Sequence, residues 1–351
     1  MAAMSLFLDA ALRKPTPSTP VWLMRQAGRY QPSYRAIREK VGFMELCKDP
    51  ALCAEVALRA VDDLGVDAAI MFSDILVVLE PLGVGFEFTK GEGPSIPQPL
   101  RSAADIDRVK SEIDPKNSLG YVMSAITETK RALNGRVPLL GFSGAPFTLA
   151  SYMIEGGGSR EYSETKKLMR TDEGAWHALL EKISDAVIRY LSAQIDAGID
   201  AFQLFDSWAG ALGPRDYQRF VMPHSKRIFD ALGGRVPSIH FGAGNPALLT
   251  SVARAGGDVI GIDQRAPFRE SWDLLGDRAV QGNLDPTTLL GPEASMLAEA
   301  AFVLDEAQGR PGHIFNLGHG MLPGANVAQT RALVTFVKEE SERRREKERR
   351  G

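Results

Sequence analysis

Eight short apolar runs, each closed by polar or glycine residues and followed by a helical pattern, constrain this chain more than any other feature. The runs are PVWLM (20–24), AAIMF (68–72), VPLLGF (137–142), AFQLF (201–205), VPSIHF (236–241), VIGI (259–262), AVQGN (279–283) and HIFNL (313–317). Most are too short for helices and lack in-and-out alternation, as expected for parallel strands covered on both faces. Between them, apolar residues recur at three- and four-residue spacing over 46–65, 164–198, 216–232 and 328–344. Eight strands alternating with helices predict an α/β fold, a (β/α)8 TIM barrel. No Ser/Gly-rich linker and no solenoid-like repeat divides the sequence, so 1–351 reads as one domain. The charged stretch 338–351 reads as a frayed, solvated helix end.

The position of the polar residues points the same way. Arg25, Asp74, Ser143, Asp206, Ser207, Asp263, Asn283, Asp285 and His319 all lie at or just past the C-terminal ends of the runs. Barrel enzymes assemble their sites on that face from several strands. Two further segments read as functional loops: EFTKGEGPSIPQPL (87–100), rich in Gly and Pro, and EGGGSR (155–160).

Balance and composition exclude several classes. The chain carries 41 Lys and Arg against 44 Asp and Glu, a net charge of −3, which argues against a general nucleic-acid binder. No apolar run reaches the ~18 residues needed to span a bilayer. The opening MAAMSLFLDAALRKPTPSTP lacks a basic n-region and so does not read as a signal peptide. Cys47 and Cys53 cannot make a disulfide framework, and their spacing is not that of zinc ligands. The expectation is a soluble, reduced, cytoplasmic protein without a metal site.

Within this frame, WLMRQAGRYQPSYR (22–35) sets Arg25 and Arg29 around Gly28 just past a buried run, with Arg35 and Arg38 following. Arginine stays charged, and its planar fork matches carboxylate or phosphate oxygens, so the cluster suggests a polyanionic substrate. Asp74 interrupts an apolar stretch, where it either caps a helix or pairs with an arginine, or else faces a cleft and stabilises developing positive charge. Tyr152 lies in the helix that Pro146 opens, as a core aromatic or a ligand contact. Ser207 lacks a GxSxG context and reads as a hydrogen-bond donor or helix cap. His319, flanked by two glycines in a loop, suggests ligand contact or proton transfer. His177 and His224, in helical patterns, read as surface residues, and His240 either faces the barrel mouth or fills it. GVG at 83–85 and GAG at 242–244 lack a phosphate-loop pattern.

These segments resemble the uroporphyrinogen decarboxylase family. PVWLMRQAGRYQPSYR (20–35) is similar to that family's N-terminal signature and GFSGAPFTLASYMIEG (141–156) to its second, with FSDIL, FDSWAG and FNLGHG following its other site segments in order. The resemblance implies a (β/α)8 barrel, a homodimer, and cofactor-free decarboxylation of uroporphyrinogen III to coproporphyrinogen III. It also implies a substrate segment of Arg25, Gln26, Ala27, Gly28 and Arg29, a central Asp74, and contacts from Tyr152, Ser207 and His319. The methyltransferases of the same superfamily use a His-x-Cys zinc pair; here the comparable stretch is His240-Phe241-Gly242, without the thiolate.

Overall fold

A computed structural model describes residues 5–89 and 93–350. Among the described residues nine strands form: β1 (Ala69–Ile70), β2 (Glu87–Thr89), β3 (Gly93–Ser95), β4 (Leu139–Gly144), β5 (Ala201–Asp206), β6 (Ser238–Gly242), β7 (Val259–Gly261), β8 (Ala279–Leu284) and β9 (His313–Leu317). Seven pair in parallel in the order β1-β4-β5-β6-β7-β8-β9, and β2 and β3 form a separate antiparallel hairpin. Each of the last seven predicted runs overlaps one sheet strand, and the first forms only a single parallel bridge, Val21 to Phe315.

That bridge nonetheless completes the ring. Phe315 N–H donates to Pro20 at 2.9 Å on one side, and Asp67 N–H donates to Val21 at 2.7 Å on the other. The segment stays short of a regular strand because a side chain takes over its ladder: Asp67 Oδ2 accepts from Val21 N–H at 2.9 Å. Lys338, from the last helix, pairs with the other oxygen of Asp67 at 2.8 Å.

The outer layer closes as well. Helices Pro50–Leu64, Gly120–Leu133, Glu173–Ala197, Met222–Leu232, Leu249–Ala255, Phe268–Leu275, Glu293–Ala307 and Val327–Arg350 each pack on the next, and the last packs on the first. The fold is a (β/α)8 barrel. Two predicted helices are split by proline chemistry. The pattern over 46–65 breaks at Asp49, whose side chain caps the helix that Pro50 opens. The pattern over 216–232 breaks near Met222-Pro223, where a second helix begins.

Alternation along β6 explains its packing. Ile239 and Phe241 join Trp22, Leu140, Val259 and Ile314 inside the barrel, where Phe7 of the short helix Leu6–Ala11 joins the same core. His240 points outward instead, packing on Phe229 of the helix layer with its Nδ1 3.1 Å from the Val252 carbonyl. It neither faces nor fills the mouth. Polar side chains inside the barrel satisfy one another: Trp22 Nε1–H donates to Gln281, and Gln281 donates to Gln203.

The C-terminal stretch differs from its frayed reading. It continues the final helix to Arg350, with Ser341 buried and accepting from Thr19 N–H at 2.8 Å, and Arg345 donating to the Thr16 carbonyl at 2.7 Å. His177 and His224 also differ from a surface reading: their ring nitrogens lie 2.7 Å apart, and His224 is buried.

Candidate active site at the C-terminal face

The first substrate-segment residue follows the bridge at Val21 and adopts a left-handed backbone, φ +61° at Arg25. This conformation is uncommon for a residue with a side chain. It turns the chain sharply and lays the Arg25 side chain across Gly320, where an added Cβ would stand 2.6 Å from Arg25 Cδ. Gly320→Ala should therefore displace the guanidinium and raise KM for an anionic substrate severalfold with little loss of unfolding temperature. Steady-state kinetics alongside thermal melts check this, and an unchanged KM would remove the contact from the site.

The rest of the segment divides its labour. Gln26 is buried, accepting from Leu23 N–H at 3.1 Å and donating to the Ala68 carbonyl at 3.0 Å. Its amide thus fastens the barrel wall, and Arg25 and Arg29 are the cations of the segment that stay exposed. Ala27 and Gly28 are partly buried, and Gly28 N–H donates to Gln31 at 3.2 Å. Arg35 and Arg38 bind main-chain carbonyls, of Arg29 and Tyr30 and of Val41 respectively, and hold this turn together.

Asp74 follows β1 and is partly buried. Its Oδ1 accepts from Leu76 N–H at 2.8 Å, which fixes the carboxylate at the head of the 3-10 turn Val77–Leu79. Burial pushes its pKa up to about 6, opposed by the Leu76 hydrogen bond and the Arg25 charge. Burial likewise pushes the Tyr152 phenol above its usual range, and the Asp74 charge adds to the shift. His319 is pushed below its usual value by burial and by Arg25, against the opposing pull of Asp263. Arg25 thus acts electrostatically on Asp74, Tyr152 and His319, and Asp74 acts on Tyr152. At neutral pH this is one fixed cation, one carboxylate, one intact phenol and one neutral imidazole.

Ser207 sits partly buried between Asp206 and Trp208, past the end of β5. Trp208, which the sequence reading passed over as a site residue, stacks on Tyr152 with ring centroids 3.8 Å apart. Arg265, a cation, is a second missed residue; it pairs with Asp263 at 3.0 Å and contributes to the shift at His319. The DQR sequence after VIGI was the available signal. Other strand-end polar residues serve the scaffold: Ser143 donates to its neighbouring carbonyl, Asn283 donates to Asp263 and Ala266 carbonyls, and Asp285 caps a 3-10 turn.

The two predicted loops meet beside this face. Residues 90–92 of the first lie outside the described residues, and its flanks form the β2–β3 hairpin. Ile96 N–H donates to the Gly156 carbonyl at 2.8 Å and Leu100 N–H to the Met153 carbonyl at 2.8 Å, so the first loop seats on the end of the Tyr152 helix.

A cavity of 560 Å³ elsewhere, between the last two helices and the start of β9, is lined by arginines. They are already engaged: Arg310 with Asp273, Arg343 with Glu340, and Arg344 with Asp305. It offers no counterpart to the Asp74 cluster. Among the described residues, no three His, Cys, Asp or Glu side chains are grouped to hold a metal ion.

Comparison with known proteins identifies the family. A family model described as uroporphyrinogen decarboxylase (URO-D) matches residues 2–340. A uroporphyrinogen decarboxylase of Carboxydothermus hydrogenoformans is 52% identical over 335 residues, covering 95% of each chain. One from Sorangium cellulosum is 51% identical over 333 residues, covering 94% of this chain and 95% of its own. Among solved structures, a methyltransferase from Methanosarcina mazei superposes with a TM-score of 0.76 at 21% identity, covering 96% of this chain and 99% of its own, which speaks to the fold alone. On the family match and these identities, the chain belongs to the uroporphyrinogen decarboxylase family.

Proposed function

We propose that this protein is a carboxy-lyase that removes CO₂ from the four acetate side chains of uroporphyrinogen III, giving coproporphyrinogen III in porphyrin and haem biosynthesis. The observation that carries this reading is the placement of the Asp74 carboxylate beside Arg25 and Tyr152 at the C-terminal face of a family barrel. The substrate is an octacarboxylate, and Arg25 and Arg29 are the cations suited to its carboxylates. Gln26, Ala27 and Gly28 shape the turn that presents them.

The chemistry follows from the substrate's own rings. Loss of CO₂ leaves an electron pair that needs an acceptor. A proton added at a pyrrole ring carbon makes the ring cationic, and the pair released by CO₂ flows into it. The exocyclic methylene then takes a proton at carbon and the ring proton leaves, so each acetate consumes one proton overall and becomes a methyl. No separate electron sink is required. Asp74, anionic above its pKa of about 6, stabilises the cationic ring through the pyrrole N–H groups. Tyr152, Ser207 and His319 serve as substrate contacts. As a neutral imidazole His319 is suited to hydrogen bonding, or to relaying a proton that solvent supplies. The whole chain acts as one catalytic domain in the cytoplasm, working as the homodimer that the family resemblance implies.

Anaerobic incubation with uroporphyrinogen III, followed by separation of the oxidised products by carboxylate number, tests this reading. Hepta- through tetracarboxyl species should appear in order without added metal or cofactor. Tight binding with unchanged octacarboxyl substrate would make the protein a tetrapyrrole carrier instead.

A further inference from the structure

Asp206 is the residue that the site above leaves unused. It ends β5 with no exposure to solvent, and its Oδ2 is buried without a hydrogen-bond partner. Burying a carboxyl in this way is costly, and an apolar residue would fill the space more favourably. Its other oxygen has a specific use. Thr148 Oγ donates to Asp206 Oδ1 at 2.9 Å, and the same hydroxyl accepts from the main-chain N–H of Trp208 at 3.3 Å. A hydroxyl has one proton, so giving it to Asp206 leaves the oxygen lone pairs for Trp208. The Trp208 ring then stacks on Tyr152, at 3.8 Å between centroids and 29° between planes. Tyr162 packs against Trp208 as well, with its centroid 5.1 Å away. Thr148 and Tyr152 are four residues apart on the helix Pro146–Glu155, so they share a face.

We propose that Asp206 is a positioning residue for the decarboxylation: through Thr148 it anchors the main chain at Trp208, whose ring stacks on Tyr152, and so fixes that phenol. The chain of contacts converts a buried carboxyl at a strand end into the orientation of an aromatic wall one layer above it. It rests on the reading of Tyr152 as a substrate contact.

A double-mutant cycle tests the relay. Thr148→Val keeps the side-chain shape and removes the hydroxyl. It should lower kcat about tenfold, as a modest misplacement of a reacting contact does, with KM within about twofold. Thr148→Ser should restore kcat. In a Tyr152→Phe background Thr148→Val should cost nothing further, because the group it positions is gone. Asp206→Leu should behave as Thr148→Val, and Asp206→Asn, which keeps an acceptor oxygen, should be milder. An equal loss of kcat in both backgrounds, or wild-type kcat in Thr148→Val, overturns the proposal.

A second readout is independent of turnover. Trp22, Trp176 and Trp272 are buried and Trp208 is only partly so, so iodide quenching of tryptophan fluorescence reports mainly on Trp208. Quenching should increase in Thr148→Val and fall in Trp208→Phe. If the wild-type protein released no CO₂ at all, the functional reading would fail. The relay would still stand or fall on whether Thr148→Val changes quenching.

Discussion

Asp74→Asn should lower kcat for uroporphyrinogen decarboxylation by about 10²–10³-fold, the loss found when one preorganised electrostatic group is removed from a developing charge. Substrate affinity should stay within a few-fold, because the cations that bind carboxylates are untouched. The shape is preserved, and the amide can still accept from Leu76 N–H as Asp74 does at 2.8 Å. The pH profile supplies the sharper test. Burial has raised the Asp74 pKa from its ordinary value to about 6, so in the wild-type enzyme the stabilising anion is present above that pH and lost below it. Activity should fall towards tenfold per pH unit on the acid side of about 6. The Asn variant should keep its small residual rate without that limb. Near-normal turnover in Asp74→Asn, or an unchanged acid limb, would remove Asp74 from the reaction.

Arg25→Ala should raise KM about 10–100-fold, the equivalent of losing a charge-assisted hydrogen bond worth about 1.5–3 kcal/mol. It should also move the acid limb to higher pH. The sign follows from the cause: Arg25 holds the Asp74 carboxyl down against burial, so removing the cation makes that carboxyl harder to ionise. Arg25→Lys separates the two effects. It keeps the charge, so the limb should stay near its wild-type position, while the lost fork geometry still weakens carboxylate binding. Alanine bears about the same cost as arginine for the left-handed backbone at φ +61°, so the unfolding temperature should barely change. A shift of the limb to lower pH in Arg25→Ala would contradict the electrostatic picture of the site.

Much of this was legible in the residues. The eight runs were readable because a strand buried on both faces must be nearly all apolar, and VPLLGF or AFQLF leave little else to choose. The helix splits at Asp49-Pro50 and near Met222-Pro223 were also written in the chain, although periodicity alone ran through both. The segment at 20–24 was harder. It is apolar like the others, yet its ladder is taken over by the Asp67 side chain, an exchange that no local pattern announces. The histidines show the same limit. His240 alternates correctly for either face of β6, and only packing against Phe229 decides that it looks outward.

What the sequence offered by itself was the repeating unit and a set of candidates for the site, Arg25, Arg29, Asp74, Tyr152, Ser207 and His319, at or beyond the strand ends where chemistry in a barrel collects. What only the tertiary structure decided was which of the neighbouring polar groups are free to act. Gln26, Ser143, Asn283 and Asp285 carry equally promising side chains at similar positions, but each is engaged in a hydrogen bond that holds the scaffold. Asp206 and the Trp208 main chain both meet the hydroxyl of Thr148, about 60 residues away in the chain, and the Trp208 ring stacks on Tyr152. The physical reason is that a hydrogen bond needs a partner at about 3 Å in the right direction, and such partners are set by the folded arrangement of distant segments.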